Sequence, residues 1–419
     1  MAEPVVDADV AVVGAGAAGL AAAQRLQEKG VGVVVLEARD RIGGRAHTVA
    51  IGDGFPADLG CGWLHSAERN PWVAIARALG FGIDETLPGW RERLTRSGYS
   101  GAEQDDWIRA REAFDQRVEE AAAKPDRPAS ELLEPGNRWN PLLNAISTYA
   151  NGVELERLSA HDYNNYDSTD TNWRVREGYG ALVARYGASV PVRLSTAVTR
   201  IDWGGPSISL ETAVGTVRSR VAILAVPPTM VASEKIRFAP ALPPSKRAAA
   251  QGLPLGVDNK LFLSLDGTWP EIGSNWHVAG SVGRLATAAY QMKPLGHAVV
   301  EMFVGGELGR ALEKAGIEAM AEFARDELAH RFGNRIRGAM KPLRASAWAG
   351  DPFALGSYSF ALPGHAGDRA VWAAALDQRL FFAGEACSPH DFSTAHGAYL
   401  TGLAAADQVA ECWGSRAEE

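Results

Sequence analysis

Residues 9–37, DVAVVGAGAAGLAAAQRLQEKGVGVVVLE, spell out one unit of a parallel α/β fold in order. Asp9 to Val13 is a short apolar run of the kind that forms a strand buried on both faces. Gly14, Gly16 and Gly19 follow as GxGxxG. Ala17 to Lys29 then continues as an Ala/Leu/Gln/Glu-rich helix that stops at Gly30, and Gly32 to Leu36 is a second strand closed by Glu37. Each residue has a task if a dinucleotide lies here: Gly14 permits the tight turn, Gly16 lets the backbone approach pyrophosphate, and Gly19 lets helix and strand pack closely. The helix N-terminus offers unpaired amides and its positive dipole end to the anion. Glu37, about twenty residues on, can hydrogen-bond ribose hydroxyls. A bare GxGxxG also describes a flexible glycine turn; strand, helix, strand and terminal acid in this order select the dinucleotide.

The bulk composition limits what surrounds this unit. A chain of 419 residues exceeds the size at which one hydrophobic core keeps growing, so two lobes are expected. With 46% hydrophobic and 22% charged residues the chain has neither a disordered nor a fibrous bias. A net charge of -8 argues against a nucleic-acid surface, which needs clustered Lys and Arg, and suits a cationic substrate weakly. Cys61, Cys387 and Cys412 are too scattered for a disulfide framework or a metal cluster, so no metal is expected and a reducing, cytoplasmic setting fits. No export signal precedes Asp9, and the most apolar stretch, Ala11 to Ala23, is too short for a bilayer span.

Arg39 to Arg45 reads RDRIGGR, which puts guanidinium groups and a flexible double glycine beside the same pyrophosphate. The run VVVLEARDRIGGR resembles the start of the large FAD-binding superfamily that includes amine oxidases, L-amino-acid oxidases and phytoene desaturases. The resemblance implies that Glu37, Ala38, Arg39, Gly43, Gly44 and Arg45 line an FAD.

Four further segments resemble the flavin amine oxidases, the polyamine/spermine oxidase-like and monoamine oxidase-like enzymes, and they span the chain. The first is Asp58 to Pro71, DLGCGWLHSAERNP, which in polyamine oxidases runs along the isoalloxazine; it implies cofactor contacts at Gly60, Gly62 and Trp63 and places His65 at the substrate channel. The second is Trp173 to Leu182, WRVREGYGAL, with Val192 to Ile201, VRLSTAVTRI, where Val198 corresponds to the valine that touches adenine; Ala222 to Pro228, AILAVPP, then crosses out of the FAD domain, its strand ended by prolines. The third is Leu255 to Leu265, LGVDNKLFLSL, which alternates like a strand carrying one lysine amid apolar residues. A cation on a buried strand is costly unless used, and the resemblance gives Lys260 the role of holding a water near flavin N5. The fourth is Trp348 to Phe360, WAGDPFALGSYSF, and Leu380 to Leu403, LFFAGEACSPHDFSTAHGAYLTGL; it implies cofactor contacts at Trp348, Gly384, Glu385, Thr394 and Ala395, with a helix opening at Ala395 toward the flavin pyrimidine.

Departures from that pattern carry information. Where mitochondrial monoamine oxidases bind FAD through a cysteine, this chain has Ser357, which implies noncovalent FAD, and no apolar tail follows Trp413 to act as a membrane anchor. Of the two tyrosines that cage the flavin face in those enzymes, Tyr358 fits one place and Thr394 occupies the other. Threonine there resembles spermine oxidases and histone-lysine demethylases and favours an aliphatic amine or polyamine.

The expected architecture is α/β: a Rossmann-like FAD-binding domain assembled from the discontinuous segments 1–85, 190–245 and 345–419, plus an α+β substrate domain with a helical subdomain from 86–189 and 246–344. Pro88 to Ser147 reads as helices over the substrate site, interrupted at Lys124 to Pro128, and Glu307 to Phe332 as one helix. Asp84 and Glu85 are candidates for contact with a cationic tail, although loop carboxylates usually face water. The implied reaction starts from the neutral amine, passes hydride from the carbon next to nitrogen to flavin N5, and yields an imine that hydrolyses to an aldehyde, with O2 or another acceptor taking the electrons. The rival enzyme, an L-amino-acid oxidase, needs an arginine clamp that Arg91, Arg93 or Arg96 could supply, though surface positions suit them. Another FAD-dependent dehydrogenase of the same superfamily stays an alternative, whereas a carotenoid-type desaturase would leave Lys260 without a task in an apolar site. A flavin-binding protein acting through a partner would need an inserted helical arm or basic face, and the sequence shows neither.

Overall fold

The computed structural model describes residues 6–90 and 92–417, the last five of these by backbone alone. Its first sheet grows outward from the glycine-turn unit. The strand Ala8–Val13 pairs in parallel with Val33–Leu36 on one side and with Gly215–Leu224 on the other; Val192–Arg193 and Leu380–Phe382 extend the parallel array at its two edges. Gly215–Leu224 is long enough to serve two neighbours, because its first half makes a hairpin with Ile208–Thr212 and its second half takes Leu380–Phe382. Val10, Val12 and Val35 point into one core, with the helix Ala17–Glu28; Ala11, Val13 and Val34 point into the other. That is the two-faced burial a continuous apolar strand requires.

The helices Ala17–Glu28 and Ala395–Ala417 pack together on one face, and Gly402 permits this because a Cβ there would strike the Ala18 carbonyl. The sequence reading breaks differently from the packing at its inner boundaries. Val175, Tyr179, Leu182 and Val183, from the segment expected in the substrate lobe, are buried in the first sheet's core, and Ala249, Ala250 and Leu253 are buried in its opposite face. The short helices Tyr179–Tyr186 and Pro244–Gly252 cover the sheet at these places, one on each face.

The second sheet is antiparallel, in the order Trp276–Ala279, Ala289–Met292, Val299–Gly305, Asp258–Ser264, Pro342–Ala345. Its odd-numbered Leu261 and Leu263 face the helix Ile317–Phe332, whereas even-numbered Phe262 faces the hairpin Thr48–Ile51 and Phe55–Asp58. The single helix expected over 307–332 is two helices, Gly306–Ala315 and Ile317–Phe332. Gly316, at φ +94°, breaks them because that backbone conformation cannot continue a right-handed helix. A third cluster joins Arg93–Arg96, Gly101–Ala121 and Asn140–Ala150 through Leu94, Trp107, Phe114, Trp139 and Leu142, roofing the space between the two sheets. Among the described residues no helix is long and apolar enough to cross a membrane.

Candidate active site

One continuous cavity of about 1450 Å³ runs from the carboxyl ends of the first sheet's strands to the face of the second sheet. Pockets for one drug-sized ligand occupy roughly 300–1,000 Å³, so this space accommodates a dinucleotide and a substrate together. Its position at the strands' carboxyl ends is where open parallel sheets bind ligands.

At the inner end, Gly14 takes φ +101° and donates its N–H to Leu36 O at 2.8 Å. A Cβ on Gly14 would lie 2.7 Å from Ala225 O, and one on Gly19 would overlap the Gly14 carbonyl. Gly19 does not line the cavity; it allows the helix to seat against the turn, the task assigned to it from the sequence. The helix Ala17–Glu28 begins at Gly16 with no capping side chain, and Gly16, Ala17 and Ala18 all line the cavity. Its N-terminus is therefore presented to the space rather than to a protein carboxylate. Glu37 accepts one N–H on each oxygen, from Ala15 (2.7 Å) and from Arg39 (2.9 Å), which fixes its carboxylate at the strand end. Ala38, Gly43 and Gly44 complete this end with Val198 on the far wall.

The two arginines of RDRIGGR are tied down rather than loose. Arg39 Nη2 donates to Asp351 Oδ1 at 2.6 Å. Arg45 Nη1 donates to Ser357 O (2.7 Å) and to Glu385 Oε1 (2.9 Å). Burial alone would push Glu385 upward, but Arg45, Ser359 and Arg369 outweigh it and hold the acid below the usual carboxylate range. Gly384, at φ +133°, and Glu385 thus close the cavity from the C-terminal segment. Thr394 lines the cavity as well, but its hydroxyl accepts from Gly397 N–H (2.9 Å) and donates to Asp391 O (2.6 Å). It caps the helix that opens at Ala395, which leaves its methyl rather than its hydroxyl for a ligand.

The wall toward the second sheet carries the remaining predicted residues. Gly60 and Gly62 bring the backbone close, a Cβ on Gly62 lying 3.0 Å from Lys260 Nζ. Trp348 donates its indole N–H to Leu59 O at 2.9 Å. Lys260 is 4% exposed, and its Nζ lies 3.1 Å from Glu301 Oε1. Apart from this ion pair Lys260 Nζ has no hydrogen-bond partner, and the residue lines the cavity. Strand register explains the pairing: Lys260 sits opposite Phe303 and Phe262 opposite Glu301, which makes Glu301 the diagonal neighbour on the same face. Arg174 donates to Glu301 Oε2 (2.9 Å) and to Gln291 Oε1 (2.5 Å), and its guanidinium lies 4.8 Å from the Trp63 ring centroid. Burial would push Glu301 upward, yet Arg174 and Lys260 hold it below its ordinary value, so the three form a charged group beneath Trp63.

His65 reaches the cavity with its Nδ1 2.6 Å from Asn172 Oδ1. Asn172 Nδ2 donates to Asp170 O, so its oxygen faces the ring and accepts the Nδ1 proton. Burial brings His65 down to about 4 against the raising effect of that bond, so the ring is neutral near pH 7 with Nε2 as an acceptor. Tyr358 donates to Tyr149 O at 2.7 Å.

Of the other candidates, Asp84 and Glu85 are absent from the cavity wall. Asp84 is buried and accepts from Thr86 Oγ1 (2.8 Å), and Glu85 pairs with Arg77 at 2.9 Å. Arg91 lies outside the described residues. Arg93 and Arg96, read as surface positions, line the cavity instead, because the short helix Arg93–Arg96 turns inward on Leu94. Arg93 donates to Trp90 O (3.0 Å) and to the Tyr149 hydroxyl (3.4 Å), and among the described residues no carboxylate pairs with it. Sequence reasoning missed Asp258, Tyr149, His277 and Glu301. Only Asp258 left a trace, as a carboxylate two positions before Lys260 and so on the same face of the strand.

A glycine-turn dinucleotide cradle joined through one cavity to a buried, charge-bearing wall defines a two-lobed redox enzyme of the dinucleotide-binding class. The chain belongs to the family of flavin containing amine oxidoreductases, which matches it over residues 17–96 and 141–410. It is similar to Polyamine oxidase 3 of Oryza sativa subsp. japonica, 30% identical with 95% of this chain and 88% of that protein covered. Polyamine oxidase 2 of Arabidopsis thaliana is 29% identical, with 95% and 87% covered. The fold matches putrescine oxidase bound to putrescine with a TM-score of 0.78 at 19% identity, over 97% of this chain and 100% of that one. Cyclohexylamine oxidase from Brevibacterium oxydans gives a TM-score of 0.74 at 20% identity, with 97% and 100% covered. The protein is accordingly a flavin-dependent amine oxidoreductase.

Proposed function

We propose that the protein binds FAD noncovalently and oxidises an aliphatic amine at the carbon next to nitrogen. The observation that carries this reading is that the cradle residues Gly14, Gly16, Glu37 and Arg45 and the wall residues Lys260, His65 and Tyr358 line the same cavity. The cradle fits the cofactor's chemistry: an uncapped helix N-terminus for pyrophosphate and a carboxylate at the strand end for ribose. Ser357 spends its hydroxyl on Gly256 O (3.1 Å) and the Asp258 N–H (2.8 Å) and offers no thiol for a covalent bond. Gly16, Glu37 and Arg45 would hold FAD, which when bound would supply a hydride acceptor, with O2 or another acceptor taking the electrons.

The chain's own residues do the rest. Lys260, held by Glu301 and without a further hydrogen-bond partner, would hold a water at the wall. Neutral His65 bounds the channel without adding a positive charge that would repel an amine. Trp63, Trp90 and Tyr358 give the amine's alkyl chain an apolar path. Water then converts the imine into an aldehyde. The relatives named for polyamines make that class the first to test.

A second reading has one observation behind it: Arg93, facing the cavity without an acid partner, could take a substrate carboxylate in a bidentate bond. Mixing the flavin-loaded protein anaerobically with putrescine, spermidine, phenylethylamine and amino acids in turn separates the two. Bleaching by simple amines supports the first reading and bleaching by amino acids alone the second; a flavin band unchanged by all of them contradicts both.

A further inference from the structure

Asp258 opens the strand Asp258–Ser264 two residues ahead of Lys260, so the two side chains leave the strand on one face, and both line the cavity. Its backbone is fixed by the bond to Ser357 Oγ. Its neighbour Tyr358 has given its hydroxyl proton to Tyr149 O. Asp258 Oδ1 is left buried with no hydrogen-bond partner. Buried carboxylate oxygens are ordinarily paired, and an orphan costs free energy unless something else satisfies it.

The charged and titratable groups facing it are Lys260 on its own strand, Glu301 on the adjacent strand, Tyr358 on the segment behind it and Tyr149 on the helix Asn140–Ala150. Burial is the largest influence and raises the Asp258 carboxyl well above the ordinary range, with Glu301 adding and Lys260 and Tyr358 opposing. Lys260 is already shared with Glu301, and Glu301 with Arg174. Asp258 is therefore an acid in this wall whose charge Lys260 and Tyr358 offset only in part and whose Oδ1 has no hydrogen-bond partner.

We propose that Asp258 receives the substrate's ammonium group and takes the proton whose removal frees the nitrogen lone pair. The proposal rests on the amine-oxidising reading above. In the step, an N–H bond of R–CH2–NH3⁺ breaks and an O–H bond forms on the Asp258 carboxylate, giving R–CH2–NH2 and a neutral carboxylic acid; nothing is oxidised or reduced. The need is clear from the numbers: an alkylammonium as basic as lysine, near 10.4, leaves roughly one molecule in two thousand neutral at pH 7. A carboxyl raised by burial is the better matched acceptor, since transfer is most effective when donor and acceptor affinities approach each other.

The test follows flavin reduction under anaerobic conditions across pH, with an unsubstituted alkylamine and its β-fluorinated analogue, whose ammonium is more acidic. In the wild-type protein the rising limb of the second-order rate should fall at the same pH for both amines, because it belongs to Asp258. A limb that moves with each amine's own acidity overturns the proposal. Asp258→Asn should lower that rate about 10²–10⁴-fold with the basic amine and clearly less with the fluorinated one, while the bound-flavin spectrum stays as in the wild type; Asp258→Glu should recover part. Equal losses with both amines, or none, overturn it too, and should the Asn variant fail to hold flavin, the wild-type limb decides alone. Reduction of the wild type by no amine at all removes the underlying reading and the proposal with it, whereas reduction with amine-dependent limbs removes the proposal alone.

Discussion

Lys260, Glu301 and Arg174 form a buried chain of alternating charge whose members were separated by dozens of residues in sequence. Removing one partner of such a group leaves the other buried and uncompensated, which typically costs about 3–5 kcal/mol. Glu301→Gln, which strips both cations of their counter-charge, should therefore lower unfolding stability by about that amount, Lys260→Met by less because Glu301 keeps Arg174, and the double substitution should recover little because Arg174 stays without an acid. Denaturant titration of the three variants measures this. Lys260→Met should still purify yellow, since the cradle residues do not depend on it, while reacting far more slowly; unchanged kinetics would remove its assigned role. His65 makes a prediction of opposite character. Its folded-state value of about 4 lies below the unfolded value near 6.5. Between these values the unfolded chain binds a proton that the folded chain does not. Stability should fall as pH drops through that window, by at most about 1.4 kcal/mol per pH unit from this group. His65→Gln should flatten the slope between pH 7 and 5 only in part, because His47, lowered to about 4, and His277 and His396, also lowered by burial, act in the same direction.

Elements, rather than single side chains, decide what a sequence reveals. The glycine-turn unit was legible because its pattern is local: turn, helix and strand lie within thirty residues, and Gly19 answers a contact inside that span, although the Ala225 carbonyl that Gly14 approaches lies far along the chain. This yields a paired test. Gly19→Val should drive the helix Ala17–Glu28 off the turn, because even a Cβ there overlaps the Gly14 carbonyl, and the protein should purify without flavin. Gly101→Ala, where no atom lies within 4 Å, should bind flavin as the wild type does. Absorbance of the two purified proteins decides, and retained flavin in the Gly19 variant would contradict the assigned packing. The strand Asp258–Ser264 was half legible. A lone lysine in an apolar alternation announced itself, but Glu301 became its partner only through antiparallel register with a strand forty residues on, which no local pattern encodes. The break at Gly316 was misread for the reverse reason, since good helix formers on both sides masked one residue with positive φ.

Across the whole molecule, the α/β class and the parallel sheet that carries the cradle could be read from motifs at both ends of the chain, whereas the floor and roof of the cavity could not. Arg93 looked like a surface residue until the helical cover folded inward on Leu94, and Tyr149 and His277 reach the cavity only because that cover and the second sheet face each other. Aligning the ends of one sheet with the face of another is a tertiary fact, and it turns a cofactor cradle and a charged wall into one site. The structure of the flavin-loaded protein tests that joining most directly. The account predicts an isoalloxazine lying between Gly62, Lys260 and the start of the helix at Ala395, with the pyrophosphate at Gly16; a flavin bound elsewhere, or Lys260 turned to solvent away from it, would contradict the account.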